Sequence, residues 1–367
     1  MSSAQQLRGW KTVVSHSASV TPNASAIHSG PRRGRIVFHA DDFGMNRAVT
    51  DGIVRGFEHG LITGTSLLAN APDATRAIRE WQRLQQAREL SRIPSAAIRR
   101  ELNEPHSPFE LGIHLNLTQG RPLTSGYPPE LLDGRGCFAG IGRLFAFLHR
   151  RRPRHEPALL AELSAQVEFL RDHGQQPTHL NGHQYVELLP GLRPAVHKLL
   201  IRHQIPVLRL ARERGLLQST LFYEYRPSNW CIAHVKRFYA GRLEEQARRW
   251  GVARPHAYFG TSHAGRINLD VMRRYLRSAA GCGLIEIGVH PATDSSQEAG
   301  AKSAAQGRAH NGIEAQRDNG WDDPLAALRP QELGMLTSPL LVELVQEFGL
   351  SLGRLSHSSA EHAAKAA

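Results

Sequence analysis

Two adjacent carboxylates end the first apolar run of the chain, where residues 36–40 are followed by Asp41 and Asp42. Neighbouring Asp side chains repel each other unless a cation or a proton lies between them, so a buried strand that ends on this pair needs a compensating charge. A divalent metal ion would supply it. The alternative is that the two acids stabilise the start of the next helix, where negative charge is favoured.

Four histidines occupy matching positions at the ends of later apolar runs, and they are His114, His179, His183 and His290. A single histidine is more often an ordinary core or loop residue than a ligand. In parallel barrels, however, the carboxyl ends of all strands form one face, and active sites lie on that face. Four histidines at the same place in the pattern therefore indicate a shared site with the two acids.

The expected chemistry of this grouping is metal-dependent hydrolysis. One carboxylate and two imidazoles can bind a divalent ion and leave positions open for water and substrate, which is typical of catalytic metal sites. The sequence also provides a second carboxylate, which a hydrolytic site needs as a general base. Such ligands accept zinc, cobalt or manganese readily, whereas magnesium prefers oxygen-rich sites.

The elements that would position these groups alternate between short apolar strands and longer amphipathic helices, a pattern typical of parallel βα units. Strands are predicted at 36–40, 62–68, 110–116, 177–182, 205–210, 257–261, 284–290 and 350–355. Helices are predicted at 73–90, 156–173, 190–203, 269–282 and 338–348, and from a cap at Asn46 to Gly60. About eight strands favour an α/β fold with a closed or nearly closed (β/α) barrel over an open doubly wound sheet.

Composition narrows the class of protein. The 367 residues have no apolar run long enough to span a membrane and no secretory signal, so a cytoplasmic location is expected. The three cysteines are far apart, which argues against a disulfide framework. No phosphate-binding glycine motif follows a strand, so no nucleotide cofactor is expected. Despite the net charge of +12, the basic clusters lack interleaved aromatic residues, so nucleic-acid binding is not expected.

The boundaries of the barrel follow from breaks in this alternation. Residues 1–34 are predicted to be a disordered tail, 35–356 the barrel, and 357–367 a flexible C-terminal tail. Insertions are predicted near 91–108, 121–155 and 293–324. The last of these follows His290 and is either flexible filler or a lid over the site.

Five ordered motifs resemble the YdjC-like carbohydrate deacetylases, the ChbG and HpnK group. They are ADDFG at 40–44, ITGTSLLAN at 62–70, GIHLNLTQGRPL at 112–123, PTHLNGHQ at 177–184 and LTSP at 336–339. The resemblance implies a distorted (β/α) barrel of the glycoside hydrolase/deacetylase type that removes acetyl groups from N-acetylated sugars. It also implies one divalent ion, usually Mg²⁺, with Zn²⁺ or another transition metal as an alternative, and a homodimer.

The resemblance also implies roles for individual residues. The metal ligands would be Asp42, His114 and His183, with His179 as a rival third ligand. Asp41 would be the general base and His290 the general acid.

The chain departs from the family pattern at three positions. The family commonly has Asp at the position of Asn181, and histidines at the positions of Tyr185 and Glu187. These departures leave the three implied ligands intact and affect the expected substrate.

Three alternative functions stay open. The first is a metal-dependent hydrolase of a phosphoester or glycosidic bond, although a glycosidase normally places its two carboxylates on opposite sides of the scissile bond. The second is a non-catalytic carbohydrate-binding barrel, which would lack a bound metal. The third is nucleic-acid binding through the basic N-terminal tail, which salt-sensitive retention on DNA would reveal.

Overall fold

A computed structural model describes residues 34–105, 107–150, 155–213, 227–294 and 320–358 of the 367, with only the backbone described at 227–233. The predicted tail at 1–34, the predicted tail at 357–367 and the predicted insertion at 293–324 lie mainly outside these residues.

The strands of the described part of the chain form one parallel sheet. Their bounds are β1 Gly34–Phe43, β2 Ile62–Leu67, β3 Glu110–Leu115, β4 Leu180–Gly182, β5 Ala257–Phe259, β6 Leu284–Val289 and β7 Leu350–Leu352. The order across the sheet is β4-β3-β2-β1-β6-β5, and β7 pairs with the first residues of β1. The central strands are buried along nearly their whole length, as expected for parallel strands covered on both faces.

The two edge strands of this order, β4 and β5, are connected through the segment 207–213. Leu208 forms a parallel bridge with Leu180 of β4, and Glu213 forms one with Tyr258 of β5. The predicted strand at 205–210 is therefore replaced by isolated bridges, because the backbone hydrogen bonds of this segment alternate between Leu180 and Ala253. The predicted α/β fold of the (β/α)-barrel type is confirmed, with the sheet curled and joined at this point by bridges instead of a full ladder.

Helices occupy the connections between the strands. Their bounds are α1 Arg47–His59, α2 Ala74–Glu89, α3 Ala96–Glu101, α4 Ile141–His149, α5 Glu156–Asp172, α6 Arg193–Arg202, α7 Pro227–Arg249, α8 Leu269–Ser278, α9 Arg329–Leu336 and α10 Pro339–Glu347. The predicted helices are present with ends shifted by a few residues. Helices α3 and α4 lie within stretches that the sequence marks as insertions, and α7 and α9 are not predicted.

Helix α1 shows how local sequence places the site. The Asn46 side chain accepts a hydrogen bond from the Val49 backbone N–H at 2.9 Å and so caps the helix directly after the Asp pair. The predicted apolar face is buried, and the helix ends at Gly60, where a Cβ atom would lie 2.5 Å from the Leu336 carbonyl oxygen. Because β1 and α1 are joined by only a few residues, the Asp pair is fixed at the carboxyl end of β1.

Two further findings concern membrane-spanning helices and the cysteines. Across the described ranges, none of the helices combines the length and the apolar character that crossing a bilayer requires. Cys137 and Cys282 are both buried.

Candidate metal centre and active site

The carboxyl ends of three strands bring together one carboxylate and two imidazoles. Asp42 lies near the end of β1, His114 in β3 and His183 directly after β4. One candidate ligand atom from each residue lies within 4.8 Å of the others, and all three side chains are buried. Asp42 Oδ1 is 2.8 Å from His183 Nδ1 and 3.4 Å from His114 Nε2. The structure thus brings together the three side chains that the family resemblance implies as metal ligands.

This donor set fits a divalent cation. One carboxylate and two imidazoles are too few ligands to close a coordination shell, so positions remain for water and substrate. The Nε2 atom of His183 is buried and has no hydrogen-bond partner within the described ranges. A buried polar atom without a partner is unfavourable unless a ligand satisfies it.

The orientation of His114 is set by polar groups behind it. Its Nδ1 atom is 2.9 Å from Asn181 Oδ1 and 3.2 Å from Ser66 Oγ. When Nδ1–H donates to the amide oxygen, Nε2 carries the lone pair on the side of Asp42. Metal-binding histidines are commonly oriented in this way by an acceptor on the other ring nitrogen.

The position of Asp42 is fixed by its backbone conformation and by the guanidinium of Arg329. Its φ of 68° lies in the left-handed region, which Asp tolerates better than most residues, and backbone strain of this kind is concentrated at functional sites. Arg329 Nη2 donates to Asp42 Oδ2 at 2.8 Å. Burial alone would raise the pKa of Asp42, but Arg329 and then His183 hold it well below its usual range. The carboxylate is therefore ionised, as a metal ligand requires.

The carboxylate of Asp41, the predicted general base, contacts a different set of side chains from that of Asp42. Arg209 Nη1 donates to its two oxygens at 2.7 and 2.6 Å, and Asn181 Nδ2 donates to Oδ1 at 3.3 Å. Burial opposes ionisation, but Arg209 keeps the pKa of Asp41 well below its usual range. Arg209 also donates to Glu286 Oε1 at 2.6 Å, so the guanidinium is fixed between two carboxylates.

His179, the rival third ligand, lies behind Asp41 and outside the group formed by Asp42, His114 and His183. Its Nε2 atom is 2.6 Å from His39 Nε2, and His39 Nδ1 is 2.9 Å from Asp41 Oδ1. Burial, with Arg209 adding to it, lowers the pKa of His39 to about 4, so the ring is neutral. Arg209 also donates from Nη2 to His39 Nδ1, so His39, His179, Asp41 and Arg209 form one buried polar cluster. A glycine is required at position 112 to leave space for the His179 ring, because a Cβ on Gly112 would lie 2.3 Å from His179 Nε2.

His290, the predicted general acid, reaches the same site from β6. Its Nε2 atom lies 3.9 Å from Asp41 Oδ2, and its backbone N–H donates to Glu332 Oε2 at 2.6 Å. The Nδ1 atom is buried and has no hydrogen-bond partner among the residues that the structure describes. The ring is therefore held beside Asp41 with one nitrogen available to a ligand.

A cleft of about 680 Å³ opens next to the triad. Residues from the loop after β3 and from the segment before α9 line it, among them Thr118, Gln119, Phe138, Gln184, Trp321 and Asp322. Gln184 directly follows His183, and the Trp321 ring centroid is 6.2 Å from that of His183. A volume of this size is typical of sites for small organic ligands.

Sequence reasoning misses Arg209, Arg329 and His39. Arg209 lies in the bridging segment 207–213, and Arg329 follows a long stretch without a strand pattern. No local spacing marks either arginine as a partner of the Asp pair. His39 is two residues before Asp41, and side chains two residues apart in a strand lie on the same face. This spacing could have indicated that His39 and Asp41 are neighbours.

Comparison with known proteins identifies one family and several relatives that this chain resembles. A model of the family described as YdjC-like protein matches residues 35–347. A carbohydrate deacetylase of Geobacillus stearothermophilus is 32% identical over 51% of this chain and 65% of its own length. A chitooligosaccharide deacetylase of Yersinia enterocolitica is 27% identical over 58% of this chain and 72% of its own length. The chain thus spans less than two thirds of the Geobacillus relative.

A solved structure supports the fold alone. It is described as a cellobiose-phosphate cleavage protein of Enterococcus faecalis, and the match has a TM-score of 0.60 at 20% identity. The match covers 88% of this chain and 98% of that one.

Proposed function

The chain belongs to the YdjC-like protein family, and from this premise we propose that it is a metal-dependent carbohydrate deacetylase that removes acetyl groups from N-acetylated sugars. The observation that carries the proposal is the meeting of Asp42, His114 and His183 within 4.8 Å at the carboxyl face of the barrel. The names of the relatives supply the substrate class. A cytoplasmic location and a homodimer stay predictions from the sequence.

We propose that Asp42, His114 and His183 hold one divalent ion. Bound there, the ion would act as a Lewis acid that polarises the acetamide carbonyl and favours deprotonation of water. The family resemblance favours Mg²⁺, whereas the two imidazoles equally suit Zn²⁺ or another transition metal.

The role proposed for Asp41 is that of general base. Its ionised carboxylate can accept a proton from the attacking water, as hydroxide oxygen bonds to the carbonyl carbon. Arg209, Asn181 and His39 hold that carboxylate in one orientation. Because Arg209 stabilises the negative form, the protonated Asp41 would be short-lived and would pass the proton on.

The role proposed for His290 is that of general acid. The carbon–nitrogen bond of the acetamide breaks only when the departing nitrogen gains a proton, and the His290 imidazolium can donate it. Its Nε2 atom lies 3.9 Å from Asp41, so the proton taken up by the base has a short path to the acid. The products would be acetate and a sugar with a free amine.

An acetate-release screen tests the proposal. Purified protein would be incubated with N-acetylated monosaccharides and oligosaccharides, with and without a chelator, and acetate would be measured enzymatically. We expect release from at least one substrate, loss of it with chelator and recovery when a divalent metal is restored. Release of phosphate or of shorter sugars without acetate would instead favour the hydrolysis of another bond, and a sugar-binding signal without any metal would favour a non-catalytic barrel.

A further inference from the structure

The guanidinium of Arg329 has donors that its protein contacts do not use. The side chain is 1% exposed. Its Nε atom donates to both oxygens of Asp323 at 3.0 and 2.8 Å, and its Nη2 atom donates to Asp323 Oδ1 at 3.0 Å and to Asp42 Oδ2 at 2.8 Å. Its Nη1 atom is buried and has no hydrogen-bond partner among the described residues.

The direction of Nη1 follows from the planarity of the guanidinium, whose five N–H bonds form a fixed fork. Nε and one N–H of Nη2 form the edge that binds Asp323. The other N–H of Nη2, which remains for Asp42, belongs to the edge shared with Nη1. One N–H of Nη1 therefore runs nearly parallel to the bond that reaches Asp42, on the side of the metal triad.

A buried cationic donor without an acceptor is unfavourable, and the effect is larger for charged groups than for neutral ones. Its natural complement is an oxygen atom that carries negative charge. Asp42 Oδ2 is occupied by Arg329, while Asp42 Oδ1 lies 2.8 Å from His183 Nδ1. A ligand oxygen that accepts from Nη1 would therefore lie beside Asp42 Oδ2, next to a carboxylate whose other oxygen takes part in the triad.

We propose that Nη1 of Arg329 binds the acyl oxygen of the substrate, and that it binds a carboxylate oxygen of acetate after the reaction. This inference rests on the proposed deacetylase function. As the new carbon–oxygen bond forms, the carbonyl oxygen gains negative charge, and a fixed cationic donor binds that oxygen more strongly than the neutral carbonyl. Arg329 is thus a catalytic residue through Nη1 and a positioning residue for Asp42 through Nη2.

The Arg329→Lys variant separates these two roles, because lysine keeps the positive charge beside Asp42 and loses the second donor arm. We expect kcat for acetate release to fall about 10²- to 10³-fold with KM nearly unchanged. Acetate binding to the metal-loaded protein, measured by NMR titration, should weaken about 10- to 100-fold. Metal affinity, measured by calorimetry, should stay close to that of the wild type. Arg83→Lys is the matched control, because Arg83 is half-exposed and pairs with Glu58 and Glu80 at the surface.

Two results would overturn the inference. The first is an Arg329→Lys protein with wild-type kcat and wild-type acetate affinity. The second is a loss of activity that saturating metal fully restores, because Arg329 would then act only by holding Asp42. If the wild-type protein releases no acetate from any N-acetylated sugar, the proposed function fails, and the acetate titration decides the inference alone: equal affinities overturn it and a weaker variant supports it. Circular dichroism shows whether each variant is folded.

Discussion

Two buried arginines at opposite ends of the barrel, Arg99 and Arg329, are each 1% exposed but differ in how their donors are used. Arg99, at the amino ends of the strands, donates from Nε to Ser95 and from Nη1 to Glu104. Its Nη2 atom donates to the carbonyl oxygens of Phe57, Gly60 and Ile62. Arg329, at the carboxyl ends, leaves Nη1 without a partner among the described residues.

The surroundings of the two arginines differ in the same way. Near Arg99, the side chains of Arg88 and Arg354 also pair with Glu104, and the three guanidinium groups lie 4.9 to 5.3 Å from the centre of the Phe109 ring. Near Arg329, ring nitrogens of His183 and His290 are also buried without hydrogen-bond partners in the described part of the chain. At the amino end, Glu104 Oε2 has no hydrogen bond in the described part of the chain but lies 2.9 Å from Arg88 Nη1, so its charge is paired within the protein. The unpartnered nitrogens at the carboxyl end have no such ion-pair partner among the described residues and are available to a ligand, as expected for the face of a barrel that carries the active site.

The largest effect is expected at the carboxyl end, on activity more than on stability. Asp42→Asn should lower acetate release about 10⁴-fold, because it removes the negative charge that holds the cation. The amide is close in shape and still accepts from Arg329, whose charge stays paired with Asp323, so the free energy of unfolding in urea should fall by less than the about 3–5 kcal/mol that an unpaired buried charge costs. The exposed Asp270 offers the control Asp270→Asn, which should leave both quantities unchanged. Equal activity of Asp42→Asn and wild type would show that the reaction does not depend on the Asp42 carboxylate.

The opposite result is expected at the amino end. Arg99→Met should lower the free energy of unfolding by about 3–5 kcal/mol, because it leaves Glu104 and several carbonyl oxygens with fewer donors in a buried cluster. The kcat per folded molecule should be unchanged. Arg100→Met is the control, since Arg100 is the next residue of the same helix and is exposed. A folded Arg99→Met protein of normal stability with lost activity would show that the amino end takes part in function.

A smaller effect is expected from the group that orients His114. Asn181→Ala removes the acceptor at 2.9 Å from His114 Nδ1 and should weaken metal affinity about 10- to 100-fold in calorimetry. Asn181→Asp keeps an acceptor there and should bind metal at least as well as the wild type. If both variants bound metal equally to wild type, the orientation of His114 would have to come from elsewhere, with Ser66 as the next neighbour.

The sequence predicts that the acids and histidines at the strand ends lie on one face, because parallel strands share one carboxyl edge. The family resemblance singles out Asp42, His114 and His183 among them. It does not predict Arg329, which reaches Asp42 from 287 positions away. Nor does it predict α7, whose buried side chains Ala240, Leu243 and Ala247 are mostly small and give a weak helical pattern. Closure of the sheet is predicted through a strand at 205–210, whereas the structure closes it at 207–213 with isolated bridges. The contacts that escape prediction are those made between distant segments by long side chains.

The most direct test of the central claim is to locate the cation itself. Crystals grown with Zn²⁺ or Mn²⁺ would be measured near the absorption edge of the metal, for the wild type and for Asp42→Asn. We expect one anomalous peak in the wild type, about 2.0–2.3 Å from an Asp42 oxygen and from one nitrogen each of His114 and His183, and none there in the variant. A strongest peak away from these three side chains, or an identical peak in Asp42→Asn, would contradict it.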